Sequence, residues 1–137
     1  MSARFYLLIS ALSGVLSVAL GAFGAHGLKK VVTTDMLITF QTGVHYQFIH
    51  TLALLALSIL LLLPATKAVS SLLKWSANLI IIGIALFSGS LYTMTFMSVS
   101  GGFPAWLGPI TPIGGLAFIM GWIFLMVAAF KLPIDEQ

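Results

Sequence analysis

The chain has 137 residues, 60% of them apolar and only 7% charged, with a net charge of +3 and a mean hydropathy of +1.14. A soluble domain carries about a quarter charged residues to wet its surface, so this composition excludes one and points to a single-domain integral membrane protein. The balance of 6 basic and 3 acidic residues is no nucleic-acid footprint, and the absence of cysteine excludes disulfides, thiolate metal sites and cysteine nucleophiles.

No formal charge falls between Arg4 and Lys29. A span needs about 20 apolar residues, so a first helix is predicted over residues 5–27. Ser13, Ser17, Gly21 and Ala25 recur at i+4, a ladder of small residues that lets helices approach closely in lipid. The helix closes on GAFGAHG (residues 21–27) and LKK. The G-x-x-G-x-x-G spacing is not a dinucleotide fingerprint, and no strand precedes it. Gly27 reads as the C-terminal cap, with Lys29 and Lys30 at the negative end of the helix dipole. Gly24 thins the wall beside the ladder, and His26 reads as an interfacial cap residue. Arg4, the apolar stretch and Ala22-Phe23-Gly24 also resemble a cleavable signal peptide; the expectation is a retained span.

The next charge-free run lies between Asp35 and Lys67 and predicts a second helix over 37–63. Asp35 suits its N-terminus and Pro64 ends it. Gly43, Tyr46, Gln47 and His50 fall at i, i+3, i+4 and i+7 and share one face. If the helix enters the hydrocarbon near Val44, His45 reaches the headgroups and His50 lies roughly 9 Å deep.

The run from Lys74 to Lys131 would be about 84 Å long as one helix. SGGFPAWLGPITP (residues 100–112) breaks it, giving spans over 72–97 and 112–130, with Thr111 as cap and Pro112 in the first turn. Ser88, Tyr92 and Thr95 form a polar stripe on the third span. Ala85 and Gly89 on that span, and Ala117 and Gly121 on the fourth, repeat the small-residue interval. Phe103 and Trp106 make the 100–112 loop an interfacial anchor or, alternatively, a lid. The fold predicted is all-α, an antiparallel four-transmembrane-helix bundle.

Apart from Lys74, at the very start of the third span, these spans hold no Asp, Glu, Lys or Arg, and intramembrane ionisable groups are the usual functional candidates. A proton-coupled exporter therefore lacks its carboxylate. What remains is a layer of His50, Gln47 and Tyr92, into which depth counting also puts Gly21 and Ala117 or Phe118. Tyr46, Ser88 and His26 complete the candidate ligand-binding set, with Gly21, Gly24, Gly89, Gly114 and Gly115 as packing residues. The layer reads as interhelical glue at about 0.6 kcal/mol per hydrogen bond, as a small-ligand or proton-conducting site, or as a metal or haem site. For haem, His26 and His50 would be the axial pair, but their depths differ, and neither a metal nor a cofactor is expected.

The side holding both termini carries Arg4, Lys67, Lys74 and Lys131 against Lys29 and Lys30 opposite, which puts the termini in the cytoplasm. With no carboxylate pair and no nucleophile beside a base, the expected role is non-enzymatic. The chain would be an accessory or interaction subunit, or a small hydrophobic-ligand binder using the layer around His50. An oligomeric transporter or channel is the alternative. The implied partners are the lipid bilayer and a membrane protein or a second copy of the chain.

Four segments in order, GAFGAHGL (21–28), FQTGVHYQFIHTLALL (40–55), LFSGSLY (86–92) and TPIGGLAFIMGW (111–122), resemble the YwdK/YgdD-like family of small four-span membrane proteins, a domain of unknown function. The resemblance covers nearly the whole chain and implies the bacterial inner membrane but no activity. It marks Gly21, Gly24, His26, Tyr46, Gln47, His50, Ser88, Tyr92, Gly114 and Gly115. At His45 this sequence departs from the family pattern, which more often has a basic or other polar residue there.

Overall fold

The computed structural model describes residues 1–132. Helix α1 runs Ala3–His26, α2 Thr34–Leu60, α3 Ser70–Gly83, α4 Gly89–Ser98 and α5 Ile110–Phe130. A π-helical turn, Ile84–Ser88, joins α3 to α4 in one span. Short 3-10 segments, Leu28–Lys30, Pro64–Val69 and Ala105–Leu107, make the connections. Four of the resulting rods are long and apolar enough to cross a membrane, and the predicted all-α, four-span bundle is the fold.

The boundaries follow local chemistry. Ser2 accepts from the Phe5 amide to cap α1, and Thr33 accepts from Met36 to cap α2, with Asp35 in the first turn. These side chains satisfy amides that have no partner within the helix. At the C-terminal end of α2 the Thr66 hydroxyl donates to the carbonyls of Leu60 and Leu63, answering the same deficit in the opposite sense. Gly27 ends α1, but with φ −86°; the chain tightens into a 3-10 turn instead of entering the left-handed region. That region is used at Gly101 and Gly102, with φ of 107° and 119°, where the chain leaves α4 and only glycine accepts the conformation without strain.

Two predicted features of the fourth helix need correction. It begins at Ile110, not 112, and Pro109 at its N-cap position makes no side-chain hydrogen bond. Thr111 is not the cap, because its hydroxyl meets Ser90 Oγ at 2.7 Å and ties α5 to α4.

Helices α1 and α2 form one antiparallel pair, and α5 packs along α3, the π-turn and α4 as the other; α2 joins the two. At the end nearest the N-terminus all four spans meet around Tyr6, Leu54, Leu57, Leu73, Ile80 and Ala128. Tyr6 is fully buried and its hydroxyl donates to Asn78 Oδ1 at 2.9 Å, a bond from α1 to α3. Ser76 donates to the Gly121 carbonyl at 2.8 Å. A Cβ on Gly121 would sit 3.0 Å from Ile80, so a glycine there is what lets α5 come so close to α3.

Candidate functional site

The axial register of α1 against α2 fixes what the layer contains. A Cβ on Gly14 would lie 3.7 Å from Thr51, one on Gly21 3.6 Å from Val44, and one on Gly24 3.1 Å from Phe40. Gly21 is therefore opposite Val44, and the level of His50 falls near Val15 on α1, one residue from Gly14. Depth counting from the sequence puts Gly21 there, about 9 Å too far along the helix. That count takes Val44 as the entry of the second span, whereas the Thr33 cap starts α2 at Thr34 and its first two turns already pack beside α1. His45 lies about 16 Å along α2 from its first residue.

On the α1 side of α2, Gln47 is the hub. Its Nε2 donates to the Ser13 carbonyl at 3.1 Å and to Ser13 Oγ at 3.3 Å. Its Oε1 accepts from the Tyr92 hydroxyl at 2.7 Å. Ser13 Oγ meets Thr51 Oγ1 at 2.6 Å, and Ser17 donates to the Ser13 carbonyl at 2.8 Å. This chain links α1, α2 and α4, and Gln47 is 4% exposed. The amide is thus bonded at both ends, through its nitrogen to α1 and through its oxygen to α4. Gly43 makes room for it: a Cβ there would come within 2.8 Å of the Tyr92 ring.

His50 belongs to a different arrangement, turned toward α5. Its Nδ1 is 2.8 Å from the Tyr46 carbonyl, and its Nε2 is 3.3 Å from Trp122 Nε1. An indole N–H can only donate and a carbonyl can only accept. His50 Nε2 is therefore the bare nitrogen and Nδ1 carries the proton, so both ring nitrogens are occupied. The imidazole stacks on Phe118 with ring centroids 3.5 Å apart and planes within 15°. Gly83 allows this stack, since a Cβ there would overlap the Phe118 ring. Tyr46 is half-exposed and continues the aromatic wall to Phe87, centroids 4.5 Å apart.

The remaining candidates are distributed around these two groups. Ser88, in the π-turn, is fully buried and its hydroxyl has no partner among the described residues. Inserting a π-turn rotates the rest of the span by roughly 100° relative to an unbroken α-helix; beyond it, Tyr92 and Thr95 face α2 and Ser90 faces α5. His26 is exposed in the last turn of α1, about 18 Å from the level of Gly14 and Thr51, and it joins neither group. Gly24 and Gly114 are buried packing residues, and Gly114 is the tightest, because a Cβ would fall on the Phe87 backbone. Gly115 is in ordinary contact distance of the Phe87 ring, and Gly21 of Val44. Gly89 is a correction: a Cβ there would meet nothing within 4 Å, and Ala85 is exposed, so this pair packs against nothing. Gly83 and Gly43 take the role assigned to it.

Space is found on the lipid-facing sides. A groove of about 330 Å³ lies between α1 and α2 over Ser17, Gly21, Gly24, Val44, His45 and Phe48. A larger one of about 610 Å³ continues on the other side of Phe48, past Thr51, Gly14 and Ala11 to Arg4. A third, about 380 Å³, opens beside Tyr46, His50, Phe118 and Trp122. The sequence does not single out Ser13, Thr51 or Trp122 as polar partners; Ser13 is visible there only as a small residue in a ladder, and Trp122 only within a family segment.

Comparison with known proteins places these residues in a family. A model described as protein of unknown function (DUF423) matches residues 20–115, a range that includes Gln47, His50, Ser88 and Tyr92. The chain is 39% identical to the UPF0382 inner membrane protein YgdD of Escherichia coli (strain K12), over 96% of this chain and 94% of that protein. It is 44% identical to a UPF0382 membrane protein of Haemophilus influenzae, over 92% and 94%, and 38% identical to UPF0382 membrane protein SAB0533 of Staphylococcus aureus, over 93% and 97%. No solved structure matches.

Proposed function

The chain belongs to the DUF423 family of proteins of unknown function and is a multi-pass inner membrane protein, and from that premise we propose that it is a non-enzymatic binder of a hydrophobic ligand, taken up sideways from the bilayer between α1 and α2. One observation carries the reading. The amide of Gln47 is bonded at both ends and both ring nitrogens of His50 are engaged within the protein, so these two side chains are held by the protein itself and not free to take a polar substrate or a moving proton.

The layer then acts as a clasp that fixes α1 against α2 and α5 against His50, and the ligand meets the surface the clasp creates. Small residues of α1 (Gly14, Ser17, Gly21) against Phe48 and Leu52 of α2 make that surface concave and apolar, as hydrophobic-ligand sites are. The excess of basic residues at the ends of α1, α2, α3 and α5 favours Arg4, Lys67, Lys74 and Lys131 on the cytoplasmic side; the C-terminal residue itself lies outside the described residues.

The test is photolabelling in reconstituted vesicles with a diazirine-bearing palmitate, followed by peptide mapping. Adducts should concentrate several-fold on Ala11, Phe48 and Leu52 relative to Ile119, Ile123 and Met126 of α5, all of which are exposed. Equal labelling of the two faces would mean that lipid merely bathes the protein. Co-purification of a second membrane protein covering α1 and α2 would give the same face to a partner subunit.

A further inference from the structure

The part of the α1–α2 furrow nearest the N-terminus has a feature that the rest lacks. Arg4, in the first turn of α1, lines its mouth, and Leu7, Leu8, Leu52 and Leu55 form walls that are almost wholly apolar. Gly14 and Thr51 close its inner end, with a Gly14 Cβ position 3.7 Å from the threonine methyl. From Arg4 to Gly14 is about 15 Å of helix, half of a hydrocarbon core about 30 Å thick. The groove is therefore one leaflet deep, apolar along its length and positively charged where it meets the headgroups.

Among the described residues no carboxylate stands at the mouth to neutralise this charge. Among the described residues the single carboxylate is Asp35, at the opposite end of the bundle in the first turn of α2. Arg4 is exposed. A guanidinium presents a planar fork of donors that matches a phosphate better than a lysine ammonium does.

Resting on the reading of the furrow as the ligand face, we propose that this half of it is a site for one anionic phospholipid of the cytoplasmic leaflet, its phosphate on Arg4 and one acyl chain laid along Ala11 and Gly14 toward Thr51. Charge complementarity selects the headgroup, and depth selects a chain that ends at mid-bilayer. The groove beyond Phe48 has no cation at its lining and does not share the headgroup preference.

The probe is phosphatidylglycerol or phosphatidylcholine spin-labelled near the end of one acyl chain, in vesicles of phosphatidylcholine containing the full-length protein. The motionally restricted fraction is read by electron spin resonance. The wild type should restrict phosphatidylglycerol about fivefold more strongly than phosphatidylcholine, the effect of one juxtamembrane cation. Arg4→Gln should reduce that ratio to near one while Lys67→Gln leaves it unchanged. Ala11→Leu, a change at an exposed position that fills the groove, should lower restriction of both lipids. If Arg4→Gln keeps the preference, the headgroup assignment is overturned and the furrow reading stands. If Ala11→Leu leaves both lipids restricted as before, and the variant melts like the wild type, the furrow itself is not the ligand face and both readings fall.

Discussion

Gly114→Ala is expected to destabilise the bundle by about 1–3 kcal/mol or more, the largest effect of any single methyl group in the protein. The added Cβ would fall against the backbone of Phe87, within 2.8 Å of its Cα. A backbone cannot swing aside as a side chain does, so α5 must move away from the π-turn. That movement also loosens Phe118 from His50 and Thr111 from Ser90. The adjacent Gly115→Ala is the control: its Cβ would lie 3.8 Å from the Phe87 ring, ordinary contact, and alanine is the better helix former by about 1 kcal/mol. Thermal unfolding in detergent, followed by circular dichroism, should separate the two. Equal melting of both variants would mean that α5 does not approach the π-turn this closely.

The second large effect is expected at Gln47. Gln47→Leu keeps a similar volume but removes the acceptor of Tyr92 and the donor to Ser13. Hydrogen bonds within membrane bundles average about 0.6 kcal/mol, so the loss of this hub should cost about 1–2 kcal/mol. Tyr92→Phe breaks only one of these bonds and should cost about 0.6 kcal/mol. A double-mutant cycle in a reversible unfolding assay should show strong non-additivity, since both changes remove the same bond. Simple addition of the two effects would mean that Tyr92 and Gln47 do not touch.

Much of the architecture is legible in the sequence because charge is so rare in this chain. Arg4, Lys29, Asp35, Lys67, Lys74 and Lys131 mark the ends of apolar runs, and the Gly/Pro-rich 100–112 segment marks the reversal between the last two spans. The helical period also puts Gly43, Tyr46, Gln47 and His50 on one side of α2, where Gly43, Gln47 and His50 are buried. It cannot tell that Gln47 looks to α1 and α4 while His50 looks to α5. Residues three apart differ by about 60° around the helix, enough to serve different neighbours.

Axial register is not legible. Period assigns a face, but only the fit of particular residues, such as Gly24 under Phe40, says which turn of α1 meets which turn of α2. The π-turn is equally hidden. Ile80 to Phe87 is apolar apart from Gly83, so no polar residue marks which side faces lipid, and the small-residue interval picks Ala85 and Gly89 instead of Gly83. The same uniformity in α5 conceals Trp122, whose N–H decides the state of His50.

Gln47, Tyr92 and His50 are bonded inside the protein and leave binding to the α1–α2 face; everything proposed for the ligand depends on this. The most direct test is the ¹⁵N spectrum of the His50 ring in bilayers, with His26 and His45 replaced by glutamine. The structure predicts a neutral imidazole with its proton on Nδ1, and a shift of the Nε2 resonance when Trp122→Phe removes its donor. A proton found on Nε2, or an Nε2 resonance indifferent to Trp122→Phe, would contradict this and make His50 a working group again.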